Sequence, residues 1–108
     1  MKITRAKEYD AEEVEVTEVR HEEYEFEWVP YFDAEGGGEY RRTNYKRQNP
    51  FWYLAVKFLT KLGAITSWNF SEDEMARIEA RYNVDSPEKM KGKKVVAYNS
   101  KKRWWLDY

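Results

Sequence analysis

Cationic side chains are interleaved with aromatic rings in two stretches of this sequence. In single-strand recognition, cations contact phosphates while rings stack on unpaired bases, and each stacked base contributes roughly 1–3 kcal/mol. This pattern predicts that the chain binds single-stranded DNA or RNA. The predicted contact residues are Arg41, Arg42, Tyr45, Lys46 and Arg47 in the first stretch, and Lys93, Lys101, Lys102, Arg103, Trp104 and Trp105 in the second.

A row of carboxylates near the N-terminus gives the opposite signal. Alternation with apolar residues predicts that these carboxylates lie on the outer face of the first two strands, where they would repel phosphate. One interpretation is a solvated sheet face that keeps edge strands soluble. The other is an acidic surface that imitates nucleic acid and docks on a basic nucleic-acid-handling protein, as small phage inhibitors, including anti-CRISPR proteins, do. The candidate residues for that face are Glu13, Glu15, Glu23, Glu25 and Glu27.

The charges are divided unevenly along the chain. Residues 1–35 carry 12 acidic and 4 basic side chains, and residues 36–108 carry 8 acidic and 15 basic ones, for a net charge of −1. Either the two halves neutralise each other across paired strands, or one face attracts a charged partner. The alternative function is therefore a protein–protein inhibitor with an acidic face.

The residue types argue against an enzyme. The chain has no Cys and one His, which excludes a thiolate nucleophile, a Cys-based zinc site and a multi-histidine metal site. His21 has Glu22 and Glu23 beside it but no nucleophile in a recognisable motif. The glycines at 36–38 follow an acidic turn and are predicted to precede a strand, so they are not a phosphate loop. We therefore expect no catalysis, metal site or cofactor.

The length of 108 residues predicts one domain, residues 1–108. Val14 and Val16, and then Tyr24, Phe26 and Trp28, alternate with Glu and predict two half-buried antiparallel strands. The break in phase over residues 18–21 predicts a turn or bulge between them. Residues 33–38 predict a loop, and residues 39–46 a third strand.

Two helices are predicted in the middle of the chain. Asn49 and Pro50 resemble an N-cap followed by a first-turn proline, and an apolar stripe spaced by three and four residues predicts a helix over residues 51–62, ending at Gly63. A capping box from Ser71 to Glu74 predicts a second helix to about Tyr82. A short turn at residues 86–88, a strand at 93–98, a turn at Asn99 and Ser100 and a strand at 103–108 complete the chain.

The resulting order, β-β-β-α-α-β-β, predicts an α+β protein. Two architectures fit this order: an OB-like, partly open barrel, and a five-stranded antiparallel sheet with both helices on one face. In the OB-fold, strands 2 and 3 and the neighbouring loops often bind oligonucleotides.

The last 60 residues resemble small phage-encoded proteins of recombination and replication modules that bind single-stranded DNA. The resemblance lies in residues 62–65, Leu-Gly-Ala-Ile, and residues 85–95, where Gly92 and Lys93 match a Gly-Lys pair that opens a strand. It covers about half of the chain. It implies single-stranded DNA as the partner and a phage or prophage origin.

The N-terminal ten residues lack an apolar core, and no apolar run reaches the roughly 20 residues of a membrane span. We therefore expect a cytoplasmic protein without a membrane partner.

Because Trp104 and Trp105 are adjacent on a predicted strand, their side chains must point to opposite faces. A ring that points outward could bind a ligand or form part of a self-association surface.

Overall fold

A computed structural model describes residues 9–32, 38–61 and 63–108 of the chain. It contains a five-stranded antiparallel sheet and one α-helix, so the prediction of an α+β fold with such a sheet is confirmed. A 3₁₀ turn at Pro87–Met90 matches the turn predicted near residues 86–88. The elements are β1 (Asp10–Phe32), β2 (Gly38–Phe58), β3 (Ile65–Phe70), α1 (Glu72–Tyr82), β4 (Lys94–Ser100) and β5 (Arg103–Leu106).

The strands lie side by side in the order β3-β2-β1-β4-β5. Within the described residues no backbone ladder joins β3 to β5, so the sheet is not closed and the OB-like topology is not confirmed. The two edge strands nevertheless approach each other, because the indole N–H of Trp68 on β3 donates to the carbonyl of Trp104 on β5 at 3.0 Å. The sheet therefore curls around one face.

The predicted element order is wrong in its first helix. Residues 51–58 belong to β2, where Trp52, Leu54, Val56 and Phe58 are buried with a period of two. Asn49 and Pro50 lie in an irregular stretch of β2, residues 47–50, that is opposite Glu23 alone. Pro50 is tolerated there because a bulge does not need its missing N–H. Leu62 lies outside the described residues, and Ile65–Phe70 form a strand that the sequence interpretation missed.

The first two predicted strands are one continuous strand. The break in phase near residues 18–21 corresponds to a bulge, in which Thr17 has no partner between the pairs Val16–Val56 and Glu18–Ala55. An extra residue on one strand reverses which face the following side chains occupy. Val14 and Val16 thus share the core-facing side with Val19, which packs against the same core cluster.

The second predicted helix is confirmed as α1. Ser71 and Glu74 form the reciprocal capping box, Met75, Ile78 and Tyr82 are buried, and Asn83 adopts the left-handed conformation at the C-cap. The last hairpin turns at Lys101 and Lys102, both with positive φ, rather than at Asn99 and Ser100. Among the residues that the structure describes, no helix has the length and apolar character needed to cross a membrane.

The long β1–β2 hairpin extends beyond the core. Buried apolar residues lie on residues 14–16 of β1, on 52–58 of β2 and on the elements packed against them. The distal part, which we call the arm, consists of residues 24–32 of β1 and 38–46 of β2. The radius of gyration is 19.1 Å, against about 13 Å for a compact domain of this length, and the longest dimension is 66 Å. Large side chains on both sides of the arm, among them Phe26 and Tyr31, are exposed.

The capping box gives the stability of α1 a pH dependence. Donation from the Ser71 amide, followed by donation from the Tyr108 hydroxyl, holds the pKa of Glu74 below its ordinary value of 4.5. A lowered pKa contributes stability that is present above pH 4.5 and is lost as the pH falls through the folded-state pKa. Gln preserves the hydrogen-bonding shape without the charge.

We therefore expect Glu74→Gln to reduce the free energy of unfolding by about 0.5 kcal/mol at pH 7. The difference from the wild type should shrink below pH 4.5. Urea unfolding of both proteins at pH 7 and pH 3.5 measures this. A difference that does not depend on pH would contradict a role for the Glu74 charge.

Candidate nucleic-acid interface

The pairing register sorts the residues of the arm onto two faces. Tyr24, Phe26 and Trp28 alternate along β1 and pair with Lys46, Asn44 and Arg42 of β2, while Pro30 pairs with Tyr40. Directly paired residues of an antiparallel ladder share a face. We call this surface the aromatic face; it consists of Tyr24, Phe26, Trp28, Pro30, Tyr40, Arg42, Asn44 and Lys46.

The rings of the aromatic face are open to solvent. Tyr24 is 52%, Phe26 57%, Trp28 66% and Tyr40 71% exposed. The guanidinium of Arg42 lies 4.0 Å from the centre of the Phe26 ring, which holds a cation beside the stacking surface. None of the positions that the register assigns to this face in the described part of the arm is a carboxylate. Rings and cations thus stand together without the acidic row.

The acidic residues of the arm lie on the opposite face. Glu25 accepts a hydrogen bond from the Tyr45 hydroxyl at 2.7 Å and forms an ion pair with Arg47 at 2.8 Å. The bond to Glu25 raises the pKa of Tyr45 because it stabilises the protonated phenol. Arg41 lies over the Tyr31 ring on this same face, 5.0 Å from its centre. Several charged groups on this opposite face of the arm are therefore paired with residues of the same chain.

The predicted acidic row does not form a single surface. The bulge at Thr17 places Glu13 and Glu15 on the side away from the core, and Glu23, Glu25 and Glu27 on the other side. Cations from the second half of the chain neutralise part of the set: Lys94 lies 4.0 Å from Glu13, and Lys57 lies 3.3 Å from Glu15. Glu23 contacts His21 at 3.1 Å, and Glu27 is exposed opposite Thr43. The charge asymmetry of the sequence is thus partly compensated across paired strands.

The predicted basic residues fall into separate regions. Arg41, Arg42, Tyr45, Lys46 and Arg47 are close together at the arm, but Arg41, Tyr45 and Arg47 lie on its opposite face. Lys101, Lys102 and Arg103 form the β4–β5 turn, next to the β1 end near Asp10, so residues 11–23 of β1 separate them from the arm. Lys93 precedes the other end of β4. Within the ranges that the structure describes, the predicted basic residues therefore do not form one continuous face.

The adjacent tryptophans of β5 have different environments. Trp104 packs against the core, with its ring 4.8 Å from that of Phe58. Trp105 is 41% exposed beneath the guanidinium of Arg103 and donates its indole N–H to the Ser100 carbonyl. It lines a cleft of about 470 Å³ that α1 and residues of β3 to β5 enclose. Trp105 is thus the more exposed of the two rings, and Trp104 is half-buried.

A cluster that the sequence interpretation missed anchors the base of the arm. The Glu72 carboxylate on α1 contacts the imidazole of His21 on β1 and accepts from the Trp52 indole on β2 at 3.1 Å. The His21 ring stacks on Trp52 with ring centres 4.4 Å apart. This carboxylate thus links the helix N-terminus to both strands where the arm leaves the core. Only the tertiary fold reveals it, since His21 and Glu72 are distant in sequence.

The rings at 24, 26 and 28 were also missed as candidates, because alternation with Glu predicts half-buried strands. The structure shows that no element packs on them within the described ranges. Comparison of the chain with protein families, curated proteins and solved structures found no match.

Proposed function

We propose that this protein binds single-stranded nucleic acid on the aromatic face of its arm. One observation carries the proposal: the register collects four exposed rings and two cations, Arg42 and Lys46, on a surface that excludes the neighbouring glutamates. Bases can stack on such rings while phosphates meet the cations. Glu25 and Glu27, the glutamates of the acidic row that lie within the arm, project from the other side of the ribbon.

The exposed rings favour a single strand over a duplex. A ring can stack on a base only where the face of that base is free, and in a duplex the neighbouring base pairs cover both faces. Stacking also tolerates any base, because every base presents a π surface. We therefore propose binding with little sequence preference to DNA or RNA.

The acidic-inhibitor alternative has weaker support from the structure. Its candidate face is divided by the bulge at Thr17, and Glu13, Glu15 and Glu25 already have Lys94, Lys57 and Arg47 of the same chain as partners. An acidic surface that imitates nucleic acid requires charges that are free to meet a basic partner.

Fluorescence anisotropy of labelled single-stranded DNA and RNA, with duplex DNA as a comparison, tests the proposal at about 50 and 300 mM salt. We expect single-strand-selective binding that weakens steeply with salt, because phosphate contacts release counterions. Absence of binding to either single strand at low salt would overturn the proposal.

Charge reversal of the two cations on the aromatic face tests their contacts with phosphate. Arg42→Glu combined with Lys46→Glu should weaken binding at least tenfold and lower the salt slope by about 2, because two phosphate contacts are lost. Lys101→Glu with Lys102→Glu is the matched control at the far end of the molecule, and its affinity should stay within about twofold of the wild type. The reverse pattern would assign binding to the β4–β5 turn.

A further inference from the structure

The arm has a long backbone edge to which no other described strand of the chain is paired. In the described ranges, β2 pairs with β3 only over Trp52–Lys57, so residues 38–50 have no strand on the side away from β1. A two-stranded ribbon is marginally stable alone, and natural proteins pair, cover or interrupt long edges. We therefore expect a further strand to pair with this edge.

The residue order along this edge is complementary to itself. In an antiparallel pairing of two copies centred on Thr43, Tyr40 faces the partner's Lys46 and Arg41 faces the partner's Tyr45. At the end of this segment Glu39 faces the partner's Arg47, which also forms an ion pair with Glu25 of its own chain. Arg42 then faces the partner's Asn44, and Thr43 meets the partner's Thr43. Every position has an oppositely charged, cation–aromatic or polar neighbour, and such cross-strand pairs stabilise a sheet.

Neighbouring registers do not share this property. Centring the pairing on Arg42 places that guanidinium against its own copy, and centring it on Asn44 places Arg42 against the partner's Lys46. Like charges directly opposite each other destabilise a ladder. The free edge of β1 offers no alternative of this kind, because residues 23–32 contain three glutamates and no Lys or Arg.

We propose that two copies of this chain pair their β2 edges in the register centred on Thr43, forming a four-stranded sheet across a two-fold axis. The axis is perpendicular to the sheet, so the interface is isologous. Such an axis keeps both aromatic faces on the same side of the joined sheet and brings Tyr40 of each copy next to the partner's Lys46. The proposal does not depend on nucleic-acid binding.

Single-cysteine variants test the register, since the chain has no Cys. Directly opposed residues have Cα atoms about 4.5–5.5 Å apart, within disulfide range. In the proposed register only Thr43 faces its own copy. Two copies of residue 42 or of residue 44 would be about 8 Å apart, which is too far.

We expect Thr43→Cys to form an intermolecular disulfide under mild oxidation, while the matched controls Arg42→Cys and Asn44→Cys do not.

Light scattering of the wild type should give the mass of two chains. Glu39→Lys should weaken the dimer at least tenfold by placing like charges together, whereas Glu27→Lys, the same charge change on β1, should not. A monomeric wild type at high micromolar concentration, or preferential cross-linking at position 42 or 44, would overturn the proposal.

Discussion

Replacing Phe26 and Trp28 together by Ala should weaken single-strand binding by about thirtyfold or more. Each ring stacks on one base in our account, and loss of a stacked base costs roughly 1–3 kcal/mol, so two lost bases correspond to at least about 2 kcal/mol. Both side chains are more than half exposed, so their removal should leave the fold intact. Anisotropy at low salt measures the affinity, and circular dichroism checks the fold.

The control for this experiment is Tyr31→Ala. Tyr31 is an exposed ring on the same arm but on the opposite face, where it pairs with Glu39. Its replacement should change the affinity by less than about threefold. If Tyr31→Ala weakened binding as much as the double variant, general loss of arm structure would explain both, and the aromatic face would lose its special role.

Val56→Ala should reduce the free energy of unfolding by about 2 kcal/mol, and Leu59→Ala by less than about 0.5 kcal/mol. Val56 is fully buried between β1 and β3, whereas Leu59 is 45% exposed beyond the end of β2. In a chain of this size, 2 kcal/mol corresponds to a fall in Tm of about 10 °C. Thermal and urea unfolding measure both variants.

This pair distinguishes the strand from the helix that the local sequence pattern suggests. In the predicted helix over residues 51–62, Leu59 belongs to the apolar stripe and Val56 lies outside it. The helix would therefore give the opposite ranking. A larger loss of stability for Leu59→Ala than for Val56→Ala would contradict the strand assignment.

Elements whose signals lie within one turn of the chain were predictable from the sequence. The start of α1 was predictable because Ser71 and Glu74 form a cap within one turn, and nothing outside that turn is needed. The strand at residues 51–58 was not predictable, because Leu54 and Phe58 fit both a helical spacing of four and a strand spacing of two. The choice depends on the flanking strands β1 and β3, whose long-range pairing no local periodicity records.

The residues of the candidate site were likewise predictable only in part. The interleaving of Arg42 and Lys46 with aromatic residues was visible in the sequence, and it lies where the structure has an exposed ribbon. The exposure of Phe26 and Trp28 was not visible, because alternation identifies a face but not what covers it. The bulge at Thr17 was predictable only as a break in phase, and its effect is to separate Glu13 from Glu25 by reversing the faces.

Photochemical cross-linking to a single-stranded oligonucleotide that carries halogenated pyrimidines, followed by mass spectrometry of the peptides, tests the central claim most directly. Our account predicts adducts on Tyr24, Phe26, Trp28 and Tyr40, and their loss in the Arg42→Glu, Lys46→Glu variant. Adducts concentrated on Trp105 would place the nucleic acid at the β4–β5 turn, and adducts on Tyr31 or Tyr45 would place it on the opposite face of the arm. Either result would contradict binding by the aromatic face.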